Sequence, residues 1–171
     1  AVAYVMMAFR IAWFKVYHPL AFYAAYFSIR AKAFDLRIMT GDLKTQMTEF
    51  NRIKALDRGA SPKDKDLMSA LEVSMEMYQR GYRFVNVDIQ HSEARRFSIK
   101  DGALLPPFLA IDSLGETVAD AIVAEREERP FTSLKDLQRR CKVSNTIIDL
   151  MKELKCCGEL PEDEQMSLFG A

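Results

Sequence analysis

From Val2 to Tyr17 the chain has no face free of apolar side chains. Val5, Met6, Met7, Phe9, Ile11, Trp13, Phe14 and Val16 fall on every side of a helix drawn through them. A helix that is apolar all round has to be buried all round, and no other stretch limits the fold as much. His18-Pro19 then breaks the run, and Pro19 suits the first position of a second helix over 20–34. The expectation is a buried helix pair. The rest of the 171 residues can hardly wrap it fully, so the chain reads as a piece of a larger protein that starts inside a helix.

A membrane span does not explain this start. The longest uncharged run, Val16 to Ile29, contains His18 and Pro19, and a spanning helix needs about 20 apolar residues without such a break. Arg10 and Lys15 also interrupt the pattern of a signal peptide.

With 49% apolar and 28% charged residues, disorder is excluded. The 24 basic and 24 acidic side chains cancel, so net charge supplies no general pull toward nucleic acid or acidic membranes. Cys141, Cys156 and Cys157 lack the number for a disulfide scaffold and the spacing of metal ligands. A reducing, cytoplasmic compartment is expected. The charges are uneven along the chain. The first acid is Asp35, and ten of the 18 aromatics precede it. After Lys155 come Glu159, Glu162, Asp163 and Glu164 with no further base.

Local signals predict a mainly α fold with a small β-hairpin (α+β). Gly41-Asp42 is a turn before a helix over 43–56. Ser61-Pro62-Lys63-Asp64 is a helix start, with a serine cap, proline at the first position and an acid three residues on. That helix runs to about Arg80, and Gly81 suits its end. The period then changes to two over 82–89, which predicts a strand, with a second short strand over 96–99. Short helices follow over 116–128, 133–140 and 145–155, with Thr132 or Ser133 and Ser144 as caps. The acidic tail from Gly158 lacks helical period and is expected to be flexible.

Ile111 to Ile122 has the pattern of a helix-hairpin-helix. Ser113-Leu114-Gly115 forms the hairpin, and Glu116-Thr117 opens the second helix. Such a hairpin brings backbone N–H groups to a helix N-terminus, where they and the helix dipole hold a phosphate oxygen. These contacts position DNA without reading its sequence. A second copy follows. Leu134 to Leu137 is its first helix, Arg140 to Ser144 its hairpin, and Asn145 opens its second helix. Lys142, Val143, Ser144 and Asn145 are its candidate contacts. Ser113 and Cys141 stand where glycine is usual, and a side chain at Cys141 opposes the positive-φ backbone that the hairpin needs. The surrounding charges are mixed, which predicts few phosphate contacts and weak, salt-sensitive binding.

Gln165-Met166-Ser167-Leu168-Phe169 lies two residues from the end. Two apolar side chains after an acidic, proline-bearing stretch make an anchor for a pocket on another protein. The pattern resembles the motif by which bacterial proteins grip the sliding clamp.

The order of these blocks is similar to that of the C-terminal end of the PolC-type DNA polymerase III alpha chain. The resemblance is carried by Ala3-Tyr4-Val5, Tyr17-His18-Pro19-Leu20, Arg80-Gly81-Tyr82-Arg83-Phe84, Asn86-Val87-Asp88, Leu105-Pro106-Pro107-Phe108, Ser113-Leu114-Gly115 and the Gln165–Phe169 tail. It implies four parts. Residues 1–36 are the end of the fingers, with Tyr4 and Arg10 as candidate nucleotide contacts. Residues 37–103 link them to the next unit. Residues 104–158 are a tandem helix-hairpin-helix holding duplex DNA, and 159–171 are a clamp-binding tail. The implied partners are duplex DNA, the sliding clamp and, through intact fingers, the incoming deoxynucleotide. The implied setting is the bacterial replisome. The palm carboxylates that bind Mg²⁺ for nucleotidyl transfer are not in this piece, so it supplies no catalytic residue and carries no cofactor. Two alternatives stay open: a stand-alone helix-hairpin-helix adaptor, and a segment of the shorter DnaE-type polymerase.

Overall fold

The computed structural model describes residues 1–163. The clamp-motif residues Gln165–Phe169 lie outside them. Eight α-helices and one two-stranded sheet are found among the described residues: α1 (Val2–Tyr17), α2 (Pro19–Ile29), α3 (Leu36–Met39), α4 (Leu43–Ala55), α5 (Pro62–Gln79), β1 (Ser98–Lys100), β2 (Ala103–Leu105), α6 (Glu116–Glu128), α7 (Leu134–Cys141) and α8 (Asn145–Glu153). The mainly α fold with a β-hairpin is as expected. No described helix is long and apolar enough to cross a membrane.

The helix starts follow local chemistry. Ser61 and Asp64 form a reciprocal capping box at α5, with Pro62 at the first position. Asp42 caps α4, its Oδ1 accepting the Thr45 N–H at 2.8 Å. Asp35 does the same for α3 at Ile38. The second helix ends earlier than expected, at Ile29. The Ser28 hydroxyl donates to the Ala24 carbonyl at 2.6 Å and accepts the Phe97 N–H, and a 3₁₀ turn, Ala31–Ala33, continues the chain.

The core is aromatic at its centre. Phe27, Phe34, Phe84 and Phe97 come from four separate segments and meet edge to face or tilted, with centroids 4.8–6.2 Å apart. Such pairs contribute about 0.5–1.5 kcal/mol each beyond the area they bury. A buried polar knot braces the helices beside it. Gln46 donates to the Met39 carbonyl at 3.1 Å and accepts from the Ser74 hydroxyl at 2.6 Å, joining α3, α4 and α5.

Three expectations are corrected. First, α1 is not buried. None of its residues is buried, and Tyr4 is 87% and Phe9 72% exposed. Only its last turns meet the body: Trp13 and Phe14 lie against His18, and Lys15 pairs with Glu76 at 2.6 Å. Second, residues 82–89 form no strand. The hairpin is β1–β2, turning at Asp101-Gly102, with Ile99 opposite Leu104. The 82–89 segment is extended and touches β2 through one bridge, Phe84 to Leu104. Its alternation breaks at Asn86, after which Val87 and Ile89 are the buried residues. Third, residues 159–163 do not leave the body. The Pro161 and Glu162 carbonyls accept the Leu134 and Lys135 N–H groups at 2.9 and 3.2 Å, satisfying donors that a helix start leaves open. Lys152 pairs with Glu162 at 2.6 Å, and Lys135 with Asp163.

Candidate nucleic-acid interface

The two hairpins repeat one backbone conformation. In the first, Ser113 is left-handed (φ 63°), Leu114 is 4% exposed, and Gly115 is extended (φ −73°, ψ 155°) at the start of α6. In the second, Lys142 is left-handed (φ 55°), Val143 is 3% exposed, and Ser144 is extended (φ −71°, ψ 155°) at the start of α8. Each hairpin plants one apolar side chain in the core and turns the next helix N-terminus outward. The first copy is reduced at its front, where a 3₁₀ turn, Phe108–Ala110, stands in place of a full helix.

The expected problem at Cys141 does not arise. Leu134, Leu137 and Cys141 are all buried, a stripe that carries α7 one residue further than predicted. Cys141 is therefore helical, and the residue in the glycine-like position is Lys142. Burial and the nearby Glu125 carboxylate push the Cys141 thiol up to about 11, and burial holds Cys156 at about 12. Both remain protonated near neutral pH and are packing groups.

The two helix starts differ. Ser144 caps α8, accepting the Ile147 N–H at 3.4 Å. Gly115 has no side chain with which to cap α6. Its φ is negative, and a Cβ built there meets open space, so neither strain nor internal packing requires glycine. A bare backbone at this point suits close approach by a ligand. Glu116, Thr117 and Asn145 occupy the first positions of their helices as expected, and Asn145 is held by Gln138 of α7.

The acids that dilute the positive charge are mostly paired. Glu116 meets Lys32 at 3.0 Å and Arg95 at 2.8 Å, and Arg95 also grips Asp120. The Lys32 hydrogen bond and charge, with Arg95 beside them, hold the Glu116 carboxyl below its ordinary range. Asp136 is buried among Arg129, Arg139 and Arg140, and Arg140 also takes Glu125 at 2.9 Å. Lys142 makes no ion pair among the described residues and is exposed at the tip of its hairpin. Lys32 and Arg95 were not singled out by sequence. They lie far from α6 in the chain, and no local pattern marks them.

A cleft of about 540 Å³ lies beside the first hairpin, between Lys32–Arg37, the start of α5, Leu109–Leu114 and Leu150 of α8. Two of its lining cations are paired with acids, Lys32 with Glu116 and Arg37 with Glu153, the latter at 2.8 Å. Tyr4 and Arg10 stand elsewhere, exposed on α1, where their side chains make no hydrogen bond or ion pair among the described residues.

Residues 81–165 match a protein-family model described as a helix-hairpin-helix motif. The match begins at Gly81, so it takes in the 82–89 segment and the β-hairpin as well as both hairpins. Among known proteins the chain is similar to DNA polymerase III PolC-type of Caldanaerobacter subterraneus subsp. tengcongensis, 47% identical over 169 residues. It is 48% identical over 172 residues to the same-named protein of Streptococcus suis and 45% identical to that of Streptococcus pyogenes. Each match covers 99% of this chain, and the chain spans 12% of the length of these relatives. The repeated hairpins, the helix-hairpin-helix match and this identity from end to end converge: the chain belongs, as a segment, to the PolC-type DNA polymerase III family.

Proposed function

We propose that the chain is a non-catalytic part of a replicative DNA-directed DNA polymerase and that its two hairpins grip the backbone of duplex DNA. The observation that carries this reading is the repeated left-handed, buried, extended triplet ahead of α6 and α8. Helix N-termini presented in this way attract phosphate oxygens through N–H groups and the helix dipole. Contacts of this kind hold any sequence, which suits an enzyme that has to follow its template. End-to-end identity to polymerases favours this reading over a stand-alone adaptor.

The parent reaction joins a primer to the α-phosphate of a deoxynucleoside triphosphate. The acids here do not fit its metal site. Among the described residues no three His, Cys, Asp or Glu side chains converge as metal ligands, and Glu116, Asp120 and Asp136 are tied to cations. The chain's part is positioning: α1 and α2 belong to the end of the fingers near the incoming nucleotide, and Gln165–Phe169 binds the sliding clamp. A tether of that sort keeps a weak DNA contact rebinding locally, a gain of about 10²–10⁴-fold in avidity. The setting of this work is the bacterial cytoplasm.

A fluorescence titration with duplex DNA at low salt tests the grip. Lys142→Glu is expected to weaken binding several-fold, and unchanged affinity would leave the second hairpin a purely structural turn. For the tail, Leu168→Ala or Phe169→Ala should abolish clamp binding and leave the melting temperature unchanged. Wild-type clamp affinity in both variants would remove the tail from the proposal.

A further inference from the structure

The blocks Arg80–Phe84 and Asn86–Asp88 lie outside both hairpins, yet they run into and through a segment that touches both hairpin helices. We infer that this segment, residues 83–94, is the gauge that holds the two hairpins in fixed relation, with Asn86 and Arg126 as positioning residues for two-point duplex binding. The inference rests on the duplex-binding reading and adds to it a reason why the hairpins act together.

The segment is itself anchored. Its Val85 N–H and Arg83 carbonyl bond to Leu104 of β2, each at 2.9 Å, and the Phe84 ring sits in the aromatic centre of the core. Further on, the Ser92 hydroxyl accepts the Asp88 N–H at 3.0 Å and donates to the Pro106 carbonyl at 2.8 Å. The Glu93 and Ala94 carbonyls accept the Phe108 and Leu109 N–H groups at 2.9 and 3.0 Å, at the entry to the first hairpin.

From this frame one hydrogen-bonded contact reaches the far end of each hairpin helix. The Asn86 amide donates to the Leu154 carbonyl at 2.6 Å and also lies against that of Lys155. Those carbonyls lie just past the last turn of α8, where a helix leaves acceptors open. Arg126, in the last turn of α6, donates to the Ile89 and Ser92 carbonyls at 3.1 and 2.8 Å, with its guanidinium over the Phe108 ring. Hairpins lead α6 and α8 at their N-termini, and this one segment holds their C-terminal ends. A helix pinned at one end transmits a tilt to the other. Freeing either contact therefore misaligns the two N-termini that one duplex has to meet at once. Two weak sites that engage together bind far more tightly than either alone, and that gain vanishes when geometry forbids simultaneous contact.

The test uses the full chain and a duplex of mixed sequence, with affinity measured across a salt series. Asn86→Asp keeps the side-chain shape and replaces the donor by a carboxylate facing two carbonyls. Arg126→Ala removes the other contact, and Arg126→Lys restores a donor able to reach both carbonyls. Arg126→Gln replaces Arg126→Ala if the latter fails to melt cooperatively. The expected result is cooperative melting, affinity lower by about tenfold or more, and a shallower salt slope, because fewer phosphates are held. Arg126→Lys should recover both affinity and slope. Folded variants with wild-type affinity and slope overturn the gauge and leave the duplex reading standing. An affinity loss with an unchanged slope, or one that Arg126→Lys does not repair, also overturns it. Wild-type protein that fails to bind duplex at low salt defeats the duplex reading itself, and the inference with it.

Discussion

Asp136 exposes no side-chain surface, and three guanidinium groups surround it. Burial by itself raises a carboxyl's pKa. Here hydrogen bonds from Arg139, the Thr132 N–H and Arg140 outweigh that, and the pKa is lowered. The carboxylate joins the start of α7 to Arg140, which reaches back to Glu125 of α6. Removing one partner of a buried ionic group costs about 3–5 kcal/mol. Asp136→Asn should therefore destabilise the chain by about 3 kcal/mol at pH 7 in urea unfolding. The folded pKa lies below the unfolded value of about 3.9. The contribution is then full above pH about 4 and is lost as pH falls through the folded pKa. The gap between wild type and variant should narrow in acid. A gap that stays constant down to pH about 3 would mean that packing, and not charge, is what the variant loses.

Among the elements, those set by local chemistry were legible in the sequence, and those set by distant partners were not. The α5 start is a case of the first kind. The Ser61 side chain accepts the Asp64 N–H at 3.1 Å, and Asp64 returns the bond to the Ser61 N–H at 3.0 Å, all within four residues. Ser61→Ala should lower stability by about 1 kcal/mol in thermal unfolding, and no change would show that Asp64 suffices alone. The Ser144 cap and the extent of α6 were legible for the same reason, and the α7 cap was legible to within Thr132 or Ser133, with Ser133 filling it. The 82–89 segment was not, because alternation reports a two-sided surface and not a pairing partner. Asn86 turns to α8, and β2, three successive buried residues, takes β1 instead. Nor was the docking of 159–163 legible, since it consists of backbone carbonyls meeting helix N–H groups. In the candidate site, the Ser113-Leu114-Gly115 triplet was legible, and the second hairpin was legible only as the stretch from Arg140 to Ser144. The left-handed position was misplaced by one, because burial of Cys141 extends α7.

At the scale of the whole molecule, equal numbers of acids and bases do not argue against a nucleic-acid partner. Many of the acids beside the hairpins are paired within the fold, while Lys142 stands exposed at its hairpin tip. The grip inferred here depends on oriented backbone groups and a small number of cations, so it should be modest in strength and indifferent to sequence. Duplex affinity measured against salt for two unrelated sequences tests this most directly. Log affinity should fall in a straight line with log salt, with a slope of about −0.9 for each phosphate neutralised and the same line for both duplexes. Affinity that does not respond to salt, or that differs strongly between the two sequences, would contradict it.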